Sequence, residues 1–304
     1  MRIIINNKLR LVVLMAVAGL LVACGSAPVA PSAPDQAVSD KAPAPERRAA
    51  RIGLALGGGA ARGFAHVGVI QVLEEAGLQP QLVTGTSAGS LVAALYASGK
   101  TSQELRRVAE TMEEAEITDW MMPILNRGAL RGEALARYVN SQVGGKSIEQ
   151  MRIPLGIVAT DLRTGEAVTF RRGNTGSAVR ASSAVPAVFQ PVRIGDHEYV
   201  DGGLVSPVPV KQAREMGANF VIAVDISSDP EGNPAGDTFQ ILMQTFAIMG
   251  KSINTLALRE AEFVVRPSLT GVKSADFGAR RRRRRQSVAA ARARGAHRRG
   301  DLRQ

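Results

Sequence analysis

The chain has 304 residues, 45% of them hydrophobic and 4% aromatic, which allows one large or two small domains and suits an aliphatic α/β core better than a β-sandwich. Its formal net charge of +11 is unevenly placed: eleven of the 38 basic residues are arginines within 280–304, opposed there only by Asp301, while the remainder carries 27 basic against 26 acidic residues. The body is close to neutral, which excludes a uniformly basic surface, and the single cysteine, Cys24, excludes an intrachain disulfide.

At the N-terminus, Lys8 and Arg10 precede an apolar run from Leu11 to Val22, the charged and hydrophobic regions of a secretory signal and too short for a ~20-residue span. The run ends in Leu21-Val22-Ala23-Cys24, which resembles the bacterial lipoprotein signal; the resemblance implies removal of residues 1–23 and acylation of Cys24. Residues 24–50, rich in Ala, Pro and Ser, read as a disordered tether. Two or three acyl chains, at ~0.8 kcal/mol per buried CH₂, anchor a protein stably where one does not. Ser26 after Gly25 suggests, by the same resemblance, an outer-membrane position facing the periplasm in a bacterial envelope.

The first folded element is a strand with Ile52, Leu54 and Leu56, stopped by three glycines, after which Phe64, Val67, Ile70 and Leu73 recur at helical spacing until Gly77. The unit then repeats in miniature: a short strand Gln81 to Thr84, a turn Gly85 to Gly89, and an apolar helix from Ser90 to Ala97 closed by Gly99. A charged helix is predicted over Ser102 to Glu116, a strand over Leu155 to Ala159, and a hairpin around Ala167 to Gly173. The stretch Val185 to Pro209 reads as turn-rich; a strand over Phe220 to Val224, a long helix over Thr238 to Ala261 and a last strand, Phe263 to Val265, complete the pattern. Alternating buried strands and helices argue a three-layer α/β fold with a mostly parallel central sheet and helices on both faces, over residues 51–272.

Two glycine loops carry the chemistry. Gly85-Thr86-Ser87-Ala88-Gly89 is a G-x-S-x-G between strand and helix, a nucleophile elbow in which Gly85 and Gly89 flank the serine because a Cβ there would clash. Gly57-Gly58-Gly59-Ala60-Ala61-Arg62-Gly63 also lies between strand and helix, and backbone N–H groups of Gly57, Gly58, Gly59 and Ala60 suit a developing oxyanion. A Walker loop needs G-K-[ST] at its end, and a dinucleotide fingerprint needs an acid where Thr84 and Gly85 stand. Two such loops on adjacent strands face one another at the carboxyl edge of the sheet, which is an acyl-transfer arrangement.

The partner of Ser87 is less determined. Of three histidines, His66 lies inside a helix, His297 in the arginine-rich segment, and His197 in a turn before a strand, the one credible base of the three. Asp161, Asp201 and Asp225 each follow a β-like run and reach the sheet edge, with turn and cap roles as the bland alternatives for Asp161 and Asp225. Asp201-Gly202-Gly203 stands out because two glycines permit a tight turn presenting the carboxylate.

Gly-Gly-Gly-x-x-Arg-Gly, then Gly-x-Ser-x-Gly, then Asp-Gly-Gly resembles the patatin-like phospholipases, as do the blocks Arg180 to Phe189 and Ala159 to Leu162. The resemblance implies a lipid acyl ester hydrolase of phospholipase A or lysophospholipase type. It also implies a Ser87–Asp201 dyad without histidine, an oxyanion hole at the first glycine loop, Arg62, Gly63, Gly202 and Gly203 in support, and no metal or organic cofactor. The implied substrate is a phospholipid or other lipid ester beside the membrane that the acyl anchor reaches. An acyltransferase on the same dyad, or an envelope binding protein retaining the site without turnover, are the rival readings.

Trp120 to Leu125 is apolar in a loop-prone context and reads as core, with a lipid-facing lid as the alternative. The arginines after Phe277 depart from the resemblance abruptly, which points to a frameshift or a disordered end across 273–304. They suit anionic lipid; nucleic acid is not an expected partner for an exported lipoprotein, and no aromatic residues interleave them.

Overall fold

Five runs of aliphatic and β-branched residues supply the parallel part of the sheet: β1 (Ile52–Leu56), β2 (Leu82–Thr86), β4 (Leu155–Asp161), β9 (Phe220–Val224) and β10 (Phe263–Val265). The computed structural model describes residues 50–112, 119, 127–231, 233 and 235–269. The Cys24 signal, the tether, the Trp120 to Leu125 segment and the arginine-rich segment lie outside the described residues.

The remaining strands are short: β3 (Gly128–Leu130), β5 (Ala167–Phe170), β6 (Ala187–Phe189), β7 (Val192–Ile194) and β8 (His197–Asp201). The main sheet runs β10-β9-β1-β2-β4-β8-β7, with β5 also on β4, and β3 pairs with β6 in a separate ribbon. From β10 to β4 every pairing is parallel; the β4–β5, β4–β8 and β7–β8 pairings are antiparallel.

Because strand side chains alternate, a strand buried on both faces must be apolar at consecutive positions. On one face Leu54, Leu56, Val83, Ile157, Ile222 and Val224 meet α1 (Ala65–Glu75), α2 (Ala88–Ala97), α3 (Ser102–Thr111), α4 (Glu133–Gln142) and α5 (Thr175–Ser182). On the other, Ala55, Leu82, Val221 and Ala223 meet α6 (Val210–Glu215), with Leu258 just beyond α7 (Thr238–Ala257). A three-layer α/β fold results, as expected. Ala159, Val192 and Tyr199 form a smaller cluster with Ala181 and Ala184 under the antiparallel end.

The strand at Phe220 to Val224 and the last strand fall where predicted; other boundaries move. The second strand runs on to Thr86, delivering the elbow directly from the sheet, and α2 starts at Ala88 rather than Ser90. The charged helix ends at Thr111, not Glu116, with Met112 leaving helical geometry at ψ 119. The predicted hairpin lies earlier: β5 pairs back onto β4, so the turn is at 162–166. The stretch Val185 to Pro209 is not merely turns, since it carries β6, β7 and β8 and a 3-10 turn, Gly202–Leu204. The long helix stops at Ala257 and continues as a 3-10 turn.

One consequence of register positions the site. Ala159 and Thr160 pair with both β5 and β8, while Ile157 and Val158 pair with both β5 and β2. A strand has two edges, so β2 and β8 share one edge of β4, end to end. The last residue of β8, Asp201, therefore meets the carboxyl end of β2, where Ser87 emerges.

Candidate active site

Ser87 sits between β2 and α2 with φ 53 and ψ −125, a conformation that an L residue adopts only under restraint. The restraint is visible in its neighbours. A Cβ on Gly85 would lie 2.6 Å from the Gly89 carbonyl oxygen, and one on Gly89 would lie 2.1 Å from the Leu56 oxygen, so the elbow closes against backbone at both flanks. The Ser87 N–H donates to Ser182 Oγ at 2.8 Å, and the Ser182 hydroxyl in turn donates to the Val158 carbonyl.

The Ser87 hydroxyl donates to Asp201 Oδ2 at 2.6 Å. Asp201 is 6% exposed, and its other oxygen accepts the Gly203 N–H at 2.7 Å. Burial pushes its carboxyl up to about 6; the bonds from Ser87 and Gly203 pull the other way, and burial is the larger of the two effects. Such a group is ionised near neutrality yet basic enough to take a proton. Its backbone is pinned as well: the Asp201 N–H donates to the Ala184 carbonyl at 3.0 Å and its carbonyl accepts the Thr160 hydroxyl at 2.8 Å. Both supporting glycines are explained, since a Cβ on Gly202 would come within 2.3 Å of the Val158 oxygen and one on Gly203 within 2.9 Å of Asp201 Oδ1.

The first glycine loop lies beside this pair: a Cβ on Gly58 would be 3.2 Å from Ser87 Cβ, and one on Gly63 would be 2.8 Å from Ala88 Cβ. The four-residue oxyanion hole needs correction. The N–H groups of Gly57 and Gly58 already donate to the Val224 and Pro207 carbonyls at 3.0 and 2.9 Å, continuing the sheet hydrogen bonding into the loop. The N–H groups of Gly59 and Ala60 make no such bond among the described residues. Arg62 donates to the Gly59 carbonyl from both its backbone N–H, at 3.1 Å, and its Nε, at 3.3 Å. Across a trans peptide that fixes the Ala60 N–H in the opposite direction. Ala60, like Ser87, has a positive φ, 49.

The rival bases are placed elsewhere. His66 is fully buried; burial lowers its pKa to about 4, so it is neutral, its Nε2 donating to the Gly57 carbonyl at 2.8 Å. Its Nδ1 has no partner among the described residues, so the expectation of a satisfied helix histidine holds for one nitrogen. His197 is the first residue of β8 rather than a turn residue, and its Nδ1 pairs with Asp161 Oδ2 at 2.5 Å. Asp161 also accepts the N–H groups of Arg163 and Thr164, a turn role; desolvation opposes its ionisation, but these bonds and His197 hold its carboxyl below the usual range. Asp225 accepts from Ser227 and pairs with Arg266 at 3.0 Å. Among the described residues no three His, Cys, Asp or Glu side chains converge as a metal site requires.

Sequence reasoning missed Ser182 and Ala184. They sit on and just after α5, Ser182 holding the Ser87 amide and the Ala184 carbonyl holding the Asp201 amide. The block Arg180 to Phe189 was visible as a motif; small residues ending a helix gave no sign of which groups they would hold.

Comparison with known proteins identifies the family. A family model described as patatin-like phospholipase matches residues 54–214, more than half of the chain. An uncharacterized NTE family protein of Mycobacterium bovis is 38% identical over 188 residues, covering 62% of this chain and 52% of its own. The human patatin-like phospholipase domain-containing protein 6 is 36% identical over 188 residues, covering 59% of this chain and 14% of its own. The chain thus spans about half the length of its mycobacterial relative. The crystal structure of VipD from Legionella pneumophila superposes with a TM-score of 0.52 at 14% identity, over 81% of this chain and 67% of that one, a likeness of fold.

Proposed function

Because the chain belongs to the patatin-like phospholipase family, we propose that it is a lipid acyl ester hydrolase in which Ser87 is the nucleophile and Asp201 its base. The observation that carries the reading is the 2.6 Å hydrogen bond from a serine on a strained elbow to a carboxylate whose burial raises its pKa. In the first step Asp201 takes the hydroxyl proton as Ser87 Oγ attacks the ester carbonyl, and the new oxyanion turns toward the Gly59 and Ala60 N–H groups and the N-terminus of α2. Collapse expels the alcohol, protonated by Asp201, and leaves an acyl-serine; water, deprotonated by the same carboxylate, releases the fatty acid.

The proposed substrates are phospholipids or lysophospholipids, and the proposed place is the bacterial envelope, with Cys24 acylated and the site facing the periplasm. Globomycin and mass spectrometry of the mature N-terminus test the anchor: an unacylated Cys24 removes it. A fluorophosphonate probe followed by a lipid panel tests the chemistry. Labelling confined to Ser87, with fatty acid released from phospholipid, is the expected result; hydrolysis that survives Ser87→Ala at full rate defeats the reading.

A further inference from the structure

The helix α7 is apolar on two sides, one against the domain and one facing outward. Its part-buried side carries Met243, Phe246, Ala247 and Ile253 beside Asn254, which is 3% exposed and 3.5 Å from Ser227 Oγ, while Gln244 bonds Asn233 at 2.9 Å and the Pro230 carbonyl at 2.8 Å and the exposed Lys251 pairs with Asp229 at 3.0 Å. Ile241, Ile248, Met249 and Leu256, at i, i+7, i+8 and i+15 and so on one face, point away, and together with Phe239 they are 47% to 65% exposed. A surface helix of a water-facing domain ordinarily turns a polar face outward. The segment Thr238–Glu260 is long and apolar enough to span a bilayer by length and composition, but the polar bonds along α7 hold it lengthwise against the domain.

The helix also borders the dyad. It packs on the Gly202–Leu204 turn that follows Asp201, and a Cβ on Gly250 would lie 3.7 Å from Pro207, whose carbonyl holds Gly58. Charge selects the partner. Thr238 to Ala257 contains no acidic residue, its outward face is completed by the hydroxyls of Thr245 and Ser252, and the chain beyond carries the eleven arginines of 280–304. That is the composition of a surface laid on anionic lipid headgroups.

We propose that the outward face of α7 docks this protein onto the surface of an anionic phospholipid bilayer and brings the Ser87 site to the lipid. The proposal rests on the reading of the site as a lipid hydrolase. A hydrolase of membrane lipid gains from such a helix because its substrate is drawn from the bilayer without crossing water.

The test uses the full chain carrying Cys24→Ser, so that no acyl anchor contributes, and vesicles of phosphatidylcholine with phosphatidylglycerol. In flotation the protein binds vesicles, and so does its Ser87→Ala form, since docking does not need turnover. Ile248→Glu with Leu256→Glu, both on the exposed face, lowers vesicle binding at least tenfold and slows release of fatty acid from vesicles in proportion. The same pair changes hydrolysis of a dissolved short-chain ester by less than twofold, which also shows that the variant is folded. Vesicle binding unchanged in the double variant overturns the proposal. So does a wild-type dimer in sedimentation that the double variant converts to monomer, because a second copy then covers the helix. If no ester is hydrolysed while flotation behaves as described, the hydrolase reading fails and the docking surface stands.

Discussion

The two halves of the sheet do different work. The parallel half, β10 to β4, is a stack of buried aliphatic strands that holds Ser87 by close packing of backbone on backbone, with Gly85 and Gly89 filling the gaps. The antiparallel half, β5, β7 and β8, consists of short, part-exposed strands, and Asp201 at the end of β8 is held by hydrogen bonds from Thr160 and Gly203 and by its own N–H donating to the Ala184 carbonyl. The nucleophile is thus fixed by sterics, and the base by a polar network assembled around a carboxylate that burial makes basic. Loss of a nucleophile leaves a well-packed elbow, whereas changes around the base alter its ionisation as well as its position.

The largest expected effect follows from that division. Ser87→Ala removes one hydroxyl from a packed elbow, so thermal unfolding should be unaltered while kcat for ester hydrolysis falls by ~10⁴-fold or more. A residual rate within tenfold of the wild type breaks the assignment of this half of the sheet as the nucleophile's support.

Asp201→Asn should be nearly as costly to turnover, ~10³-fold, the order for a lost general base. Its effect on stability has the opposite sign. The native carboxyl holds its proton up to about pH 6, the unfolded one only to ~3.9, so between these values the native state binds more protons and stability falls as pH rises. At pH 8 that penalty is complete, on the order of 3 kcal/mol, and the neutral amide escapes it. The variant should therefore melt several degrees higher at pH 8 and show little gain at pH 4. In the wild type, kcat/KM should fall tenfold per pH unit below about 6, since the base works only when ionised. A flat profile from pH 5 to 8 counts against Asp201 as the base.

Ser182→Ala probes the seam between the halves. It leaves the part-buried Ser87 N–H without its acceptor, at a cost of ~1 kcal/mol, and frees the elbow to shift. Small displacements of a reacting group cost up to ~100-fold, so kcat should drop ~10- to 100-fold with KM little changed. Equal loss of stability with unchanged kcat would make Ser182 a packing residue only.

What could be read from the sequence divides along the same line. Strands buried on both faces write themselves as continuous aliphatic runs, and the glycines of the elbow are demanded by contacts within one strand–turn–helix unit, so Ser87 and the parallel strands were legible. The strands β6, β7 and β8 have three to five residues each and owe their existence to pairing with distant segments, so Val185 to Pro209 looked like turns. The choice among Asp161, Asp201 and Asp225 had the same origin. It turns on β8 sharing an edge of β4 with β2, which no local pattern contains. Within the first glycine loop the residue types announced an oxyanion site, but which N–H groups were already committed depended on Val224 and Pro207, far along the chain.

The smallest effect is expected at His197, and it decides most sharply between a dyad and a triad. His197 and Asp201 are the two ends of β8, and four residues of extended chain separate them by ~13 Å. The imidazole is held by Asp161, which itself anchors the turn after β4, and stacks near Tyr199 with ring centroids 6.2 Å apart. Its side chain is 38% exposed, so the pair with Asp161 is partly screened by solvent. His197→Gln should therefore change ester hydrolysis by no more than ~2-fold and leave the acid limb of the pH profile where Asp201 puts it. Loss of the acid limb, or of activity on the scale seen for Asp201→Asn, would place a histidine in the catalytic path and return the antiparallel half of the sheet to the role of an ordinary triad's scaffold.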